Sequence, residues 1–183
     1  KVALTDVSLG EGTEEAPLRA QRLVARLSFL PLLMGQIDIA DITLAEPRVV
    51  VTVDANGRSN WGRLFSSLSK AFDPREPSFS EIRINDGTFV VRDDYRGIHE
   101  FISNADLSLA WPAISRSFAV TGNVRYRGEN LEVGITLADF AAALQGDRSP
   151  LKVRLAGAPF KFTFDGAMAT RPTLKIEGAT SAD

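Results

Sequence analysis

The 183-residue sequence has no cysteine, one histidine, and two each of methionine, tryptophan and tyrosine. Without cysteine there are no disulfide staples, thiolate nucleophiles or zinc–thiolate sites. The lone imidazole, His99, lies beside Glu100 in a polar stretch, and no Gly-x-Ser-x-Gly elbow occurs anywhere, so Ser-His-Asp chemistry has no footing. His99 reads as an exposed loop or edge residue. An excess of one charge is also missing: 21 Lys+Arg meet 23 Asp+Glu, for a formal net charge of -2. That balance excludes the basic footprint of a nucleic-acid binder. The longest uncharged stretch, Leu27 to Ile37, contains Pro31 and Gly35 and falls well short of the roughly 20 apolar residues of a spanning helix.

Other chemistry-bearing patterns fail on inspection. Gly10-Glu11-Gly12 lacks the third glycine of a dinucleotide fingerprint and is followed by Glu14-Glu15, which repel phosphate. Asp54-Ala55-Asn56-Gly57 lacks the ligand spacing and closing Glu of a calcium loop and reads as a turn. Asp93 and Asp94 are neighbours, and adjacent strand residues face opposite ways, so they do not flank one substrate bond. There is no HExxH, P-loop or metal-ligand cluster. The expectation is a protein that is not an enzyme and needs neither metal nor cofactor.

What is present is alternation. With 44% hydrophobic and 24% charged residues the composition is that of a globular chain, and one domain over 1–183 is expected, with a sub-boundary possible at the Pro-containing stretch 73–78. Apolar residues recur with period two at Val49, Val51, Val53; Ile82, Ile84; Phe89, Val91; Ala105, Leu107, Leu109; Phe118, Val120, Gly122, Val124, Tyr126; Leu131, Val133, Ile135, Leu137; Leu151, Val153, Leu155; and Phe160, Phe162, Phe164. These predict strands. Asn56-Gly57, Asp86-Gly87 and Arg127-Gly128 read as the turns between them, so the expected arrangement is a meandering antiparallel sheet.

Two segments break the period. Trp61, Leu64, Phe65, Leu68 and Phe72 have helical spacing with Ser59 or Asn60 as cap, and Asp139 to Gly146 reads as a short capped helix. Residues 18–34 fit both periods, and are read as a strand through about Ser28 and a helical turn over Leu30 to Met34. Phe118-Ala119-Val120-Thr121-Gly122 is faintly echoed by Phe162-Thr163-Phe164-Asp165-Gly166, as in a sheet that extends by repeated hairpins. Lys1 leads straight into the alternating Val2 to Leu9, with no signal-peptide pattern before it, so the chain reads as an excised piece.

Two short helices do not cover so many strands. Either the sheet closes on itself as a β-sandwich, or it curves and leaves an open apolar groove for a partner.

Leu18 to Gly35, with its Leu30-Pro31-Leu32-Leu33 turn, is followed by Ile37-Asp38-Ile39, Glu46-Pro47-Arg48-Val49 and Asn56-Gly57-Arg58-Ser59-Asn60-Trp61. This series resembles the AsmA family of bacterial envelope proteins. Pro47, Asn56, Gly57, Asn60 and Trp61 carry the likeness, which is strongest over the first 75 or so residues. The resemblance implies a periplasmic body anchored to the inner membrane by an upstream helix, related to TamB-like and bridge-like lipid-transfer proteins whose curved sheets hold phospholipid acyl chains. It also implies a part in outer-membrane assembly and lipid homeostasis.

For such a trough the candidate lining is Phe118, Val120, Val124, Leu131, Val133, Val153, Leu155, Phe162 and Phe164, each from an alternating apolar set; the same residues suit the core of a closed sandwich. The helix from Trp61 reads as a plug over one sheet edge, and contact of its apolar face or of Phe29 to Met34 with a membrane is the alternative. Two rival functions stand beside lipid handling: a scaffold that pairs envelope-protein partners through exposed sheet edges, and a carbohydrate-active enzyme using Asp93 or Glu100 in a cleft.

Overall fold

A computed structural model describes residues 1–9, 16–33, 39–61, 79–111, 117–158, 161–169 and 175–182. The strands are β1 (Val2–Leu9), β2 (Leu18–Leu27), β3 (Ile39–Ala45), β4 (Arg48–Val53), β5 (Phe79–Asp93), β6 (Ile98–Trp111), β7 (Phe118–Tyr126), β8 (Glu129–Leu137), β9 (Ser149–Ala156), β10 (Lys161–Ala169) and β11 (Lys175–Ala182). Helix α1 (Phe29–Leu33) follows β2, and α2 (Phe140–Gln145) follows β8. All eleven strands form a single curved sheet in the order β1-β2-β3-β5-β6-β7-β8-β9-β10-β11, with β4 pairing β2 and β5.

The expectation of a purely antiparallel meander is corrected in one place. β3 and β4 both run parallel to β5, Asp41 beside Glu81 and Val53 beside Asp93, with no change of offset between them. They act as one long strand interrupted at Glu46-Pro47. A parallel pair needs a long return connection, and the chain between Val53 and Phe79 supplies it. The proposed boundary at 73–78 and the helix beyond Trp61 lie outside the described residues. The Asp86-Gly87 turn is also corrected, because β5 continues through it. Asp86 takes φ 52°, and the register against β6 shifts there, so positive φ serves a bulge instead of a reversal.

That bulge has neighbours. Asp6 in β1, Glu46 between β3 and β4, and Asn104 in β6 have φ of 53°, 48° and 46°, and all lie at the same level of the sheet. Asp6 falls between the pairs Thr5–Arg22 and Val7–Ala20, the Glu46 N–H donates to the Asn85 carbonyl, and Asn104 Nδ2 donates to Asp86 Oδ1 at 3.2 Å. Asp and Asn tolerate this conformation better than other L-residues. Each bulge bends its strand and increases its twist, so aligned bulges crease the sheet across β1 to β6. At the crease one face carries only small, buried residues: Ala20, Pro47, Gly87 and Ala105. A Cβ on Gly87 would lie 2.6 Å from Ile84 Cγ2 and 3.4 Å from Pro47 Cγ.

Hairpin β7–β8 turns at Arg127-Gly128 as the sequence predicts, with both residues at positive φ. Helix α2 also forms as read. Asp139 accepts from the Ala142 N–H at 2.9 Å, and Gly146 closes the other end at φ 101°. The Asp139 N–H donates to the hydroxyl of Ser149, a fully buried residue. β2 and α1 match the reading of 18–34.

Candidate functional site

Partners directly opposite one another in a sheet project to the same face, so the register can be followed from strand to strand. One transverse row reads Leu4, Leu23, Leu44, Ile84, Leu107, Gly122, Val133, Leu155, Phe162, Ala182. A second reads Val2, Ala25, Ile42, Ile82, Leu109, Val120, Ile135, Val153, Phe164, Thr180. At a strand spacing of about 4.8 Å each row runs roughly 43 Å. Phe118 joins Leu137 and Leu151 in a shorter third row, and Val124 pairs Leu131 beside them. The nine residues Phe118, Val120, Val124, Leu131, Val133, Val153, Leu155, Phe162 and Phe164 therefore share one face. Between the two long rows, pointing the other way, lie Thr43, Arg83, Ser108, Thr121, Arg154, Thr163 and Ser181.

Burial along the face is graded. Leu44, Ile84, Val120, Val124, Leu131 and Val133 are buried, whereas Phe118, Val153, Leu155, Phe162 and Phe164 are half-buried. Three clusters run along it, around Ala20–Leu44–Ile84, Ala105–Val124–Leu131–Val133 and Leu137–Ala143–Leu151. Helix α2 covers the last, where the Phe140 and Phe118 ring centroids lie 6.0 Å apart. Every residue of β11 is exposed, and only Val7 of β1 is not. In two packed sheets or a closed barrel each strand buries one side, so the closed-sandwich alternative is not the architecture found. Gly122 is forced by geometry, for at φ 150° its Cβ would lie 2.0 Å from the Asp106 carbonyl oxygen.

One end of the face has a polar rim. Asp93 is buried and bound by Arg96, whose Nη1 lies 2.9 Å from Oδ2 and whose backbone N–H donates to Oδ1. The Arg96 guanidinium holds the Asp93 carboxyl below the usual range. Glu100 accepts from Tyr126 Oη at 2.8 Å and Arg127 Nη2 at 2.7 Å. The phenol bond, with Arg127 behind it, lowers the Glu100 carboxyl and in turn raises Tyr126. These carboxylates are occupied by their own partners. His99 Nε2 is 3.7 Å from Asp94 Oδ1 with both side chains about two-thirds exposed (66% and 65%). Among the described residues no group of three or more potential metal ligands lies together. Depressions of about 490 and 430 Å³ occur on the opposite, polar face around Lys152, Arg154, Thr163 and Asp165 or Glu132 and Lys161.

The residues that carry the family likeness close an edge. Beyond Arg48 and Val49, β4 parts from β2, leaving one side of its backbone to be satisfied otherwise. Asn60 does this with its amide, accepting from the Thr52 N–H at 3.0 Å and donating to the Val50 carbonyl at 2.8 Å. Trp61 Nε1 donates to the same carbonyl at 2.9 Å, and Ser59 bridges Val53. The Ser59 hydroxyl also accepts from the Trp61 N–H. Asn56 and Gly57 form the turn that brings this group back: Asp54 Oδ1 accepts from the N–H groups of Asn56 and Arg58, and Gly57 takes φ 76°. Pro47 is fully buried at the crease, its carbonyl accepting from the Thr88 N–H. The edge-closing role of Asn60 is absent from the sequence reading, and the unpaired polar Asn-Trp after a turn is its signal.

No family model matches this chain, and no curated protein matches it at a significant level. Among the described residues no helix is long and apolar enough to cross a membrane.

Proposed function

We propose that this chain is a lipid-handling segment of an AsmA-like bacterial envelope protein, in which the apolar face of the curved sheet forms an open trough for phospholipid acyl chains. The supporting observation is the pair of apolar rows that cross ten strands with no second layer over β1 or β11. Each CH₂ taken out of water contributes about 0.8 kcal/mol, so an acyl chain needs a continuous apolar track and no catalytic group. The small residues at the crease let the sheet bend toward that face, and the Asp93–Arg96 and Glu100–Tyr126–Arg127 groups give one end a polar rim suited to headgroups. In the full-length protein the trough sits in the periplasm, held by an inner-membrane anchor, and serves outer-membrane assembly and lipid homeostasis without chemistry of its own.

Native mass spectrometry with lipid extraction, on protein purified from a bacterial host without harsh detergent, tests this. Discrete added masses matching phospholipids are expected; bare protein in every charge state overturns the reading. A second reading, a scaffold that binds envelope proteins by strand pairing, is favoured by the outer edge of β11, which has no partner strand among the described residues. Partner capture without bound lipid would select it.

A further inference from the structure

We propose that the α1 end of the sheet docks on the surface of an anionic bilayer, with Phe29, Leu30 and Leu33 set among the headgroups. These three side chains are 72%, 69% and 69% exposed, and α1 has no charged residue in its first or last turn. Large apolar groups held this far into water in one short helix mark an interaction surface, not a core element.

The neighbouring charges choose the partner. β2, which leads into α1, carries Arg19, Arg22 and Arg26 and no acidic residue. Lys1 lies one residue beyond the Val2–Ala25 pair, beside Arg26. In the half of β1 to β3 nearest α1, Lys1, Arg22 and Arg26 meet only Asp41, whose carboxylate sits 3.2 Å from Arg26 Nε. Apolar side chains flanked by cations are the combination that binds a negatively charged interface, the apolar part by burial and the cations by attraction to the lipid phosphates. A protein partner of mixed charge would gain nothing from so one-sided a corner. The opposite end of the sheet makes the contrast. The β5–β6 turn also exposes an aromatic, Tyr95, at 65%, but there Arg96 and Arg127 are already neutralised by Asp93 and Glu100, and Asp94 adds a further negative charge.

The exposed apolar surface does not stop at α1. Val2 and Leu4, at 46% and 52% exposure, begin the two apolar rows at the strand beside it. A docked α1 would bring the open margin of that face to the interface, where acyl chains are. Docking goes beyond the trough reading and stands without it.

The absence of cysteine permits a direct test on the 183-residue chain. Leu30→Cys and Tyr95→Cys are each labelled with an environment-sensitive fluorophore and mixed with vesicles of phosphatidylethanolamine and phosphatidylglycerol, or of phosphatidylcholine alone. The label at position 30 is expected to shift to the blue and to be quenched by lipid-borne quenchers on the anionic vesicles, and the label at 95 to stay in water. Phe29→Ser with Leu33→Ser should lower vesicle binding by about tenfold or more while leaving the thermal midpoint unchanged, since both side chains are mostly solvated. Failure to bind anionic vesicles, a label at 30 that stays in water, or burial of position 95 instead would overturn docking. Loss of docking with phospholipid still co-purifying would leave the trough reading intact, and docking by a lipid-free protein would remove the trough alone.

Discussion

Val120→Asp and Phe162→Asp place the same carboxylate on the same apolar face at two depths. Val120 is 7% exposed and stands between Leu109 and Ile135. Losing its burial forfeits about 1.5–3 kcal/mol, and an unpaired carboxylate there costs several kcal/mol more. Against a total stability of about 5–15 kcal/mol, that variant is expected to be unfolded or insoluble. Phe162 is half-buried on the outer part of the sheet, between Leu155 and the exposed Ala182, so the new carboxylate reaches water. Its cost is about 1–2 kcal/mol, a fraction of the 3–5 kcal/mol for a fully buried Phe. Urea denaturation should show Phe162→Asp folded with an unchanged slope and a lowered midpoint, and native mass spectrometry should show its lipid occupancy largely lost. A Val120→Asp protein as stable as wild type would refute the burial argument. A Phe162→Asp protein that folds and keeps all its lipid would remove Phe162 from the acyl path.

Gly122→Ala should prevent β6–β7 pairing, because its Cβ meets backbone at 2.0 Å, whereas Gly134→Ala, with nothing nearer than Arg154 Cβ at 3.9 Å, should be neutral or up to about 1 kcal/mol stabilising by thermal denaturation. Asn60→Asp keeps an acceptor for Thr52 but turns an anionic oxygen toward the Val50 carbonyl; a loss of about 1–3 kcal/mol is expected in urea melts, and no loss would dismiss the edge-closing role. Glu81, held by Arg83 and Ser108, Asp93, held by Arg96, and Glu100, held by Tyr126, all have folded-state pKa values below their unfolded ones. Their contribution is therefore present above the unfolded carboxylate range of about 4 and is lost as pH falls through the folded values. Thermal midpoints should decline below about pH 4, and Asp93→Asn should flatten that decline; a profile identical to wild type would contradict it. Tyr126 has the opposite sign, so its contribution is lost only as pH rises past about 10.

The strands were legible because alternation survives wherever one face of a strand is buried, as in Val120 or Val133, and α2 because Asp139 and Gly146 are caps whose side-chain and backbone chemistry is local. The nine apolar residues were found as members of alternating sets, but which of them sit at the buried middle depends on sheet order, which period two does not encode. Asp86-Gly87 misled because positive φ is needed equally by a reversal and by a bulge, and only the partner strand distinguishes them. The crease was hidden for the same reason: Glu46 is a poor left-handed residue on its own, and its conformation is held by Asn85 forty positions away on the neighbouring strand. The parallel pairing of β3 and β4 with β5 left no local mark at all.

That pairing divides the molecule by the order in which it can assemble. From β5 to β11 each strand meets its predecessor through a nearby return, such as the two-residue turn at Arg127-Gly128, and can zip as it leaves the ribosome. β3 and β4 must wait for partners forty residues downstream, Glu81 for Asp41 and Asp93 for Val53, at a loop-closure cost on the order of 3 kcal/mol. Until β5 exists, β1 to β4 hold an unpaired flank of apolar strand, so this half of the chain is the one most in need of a chaperone during export and the first to open under stress.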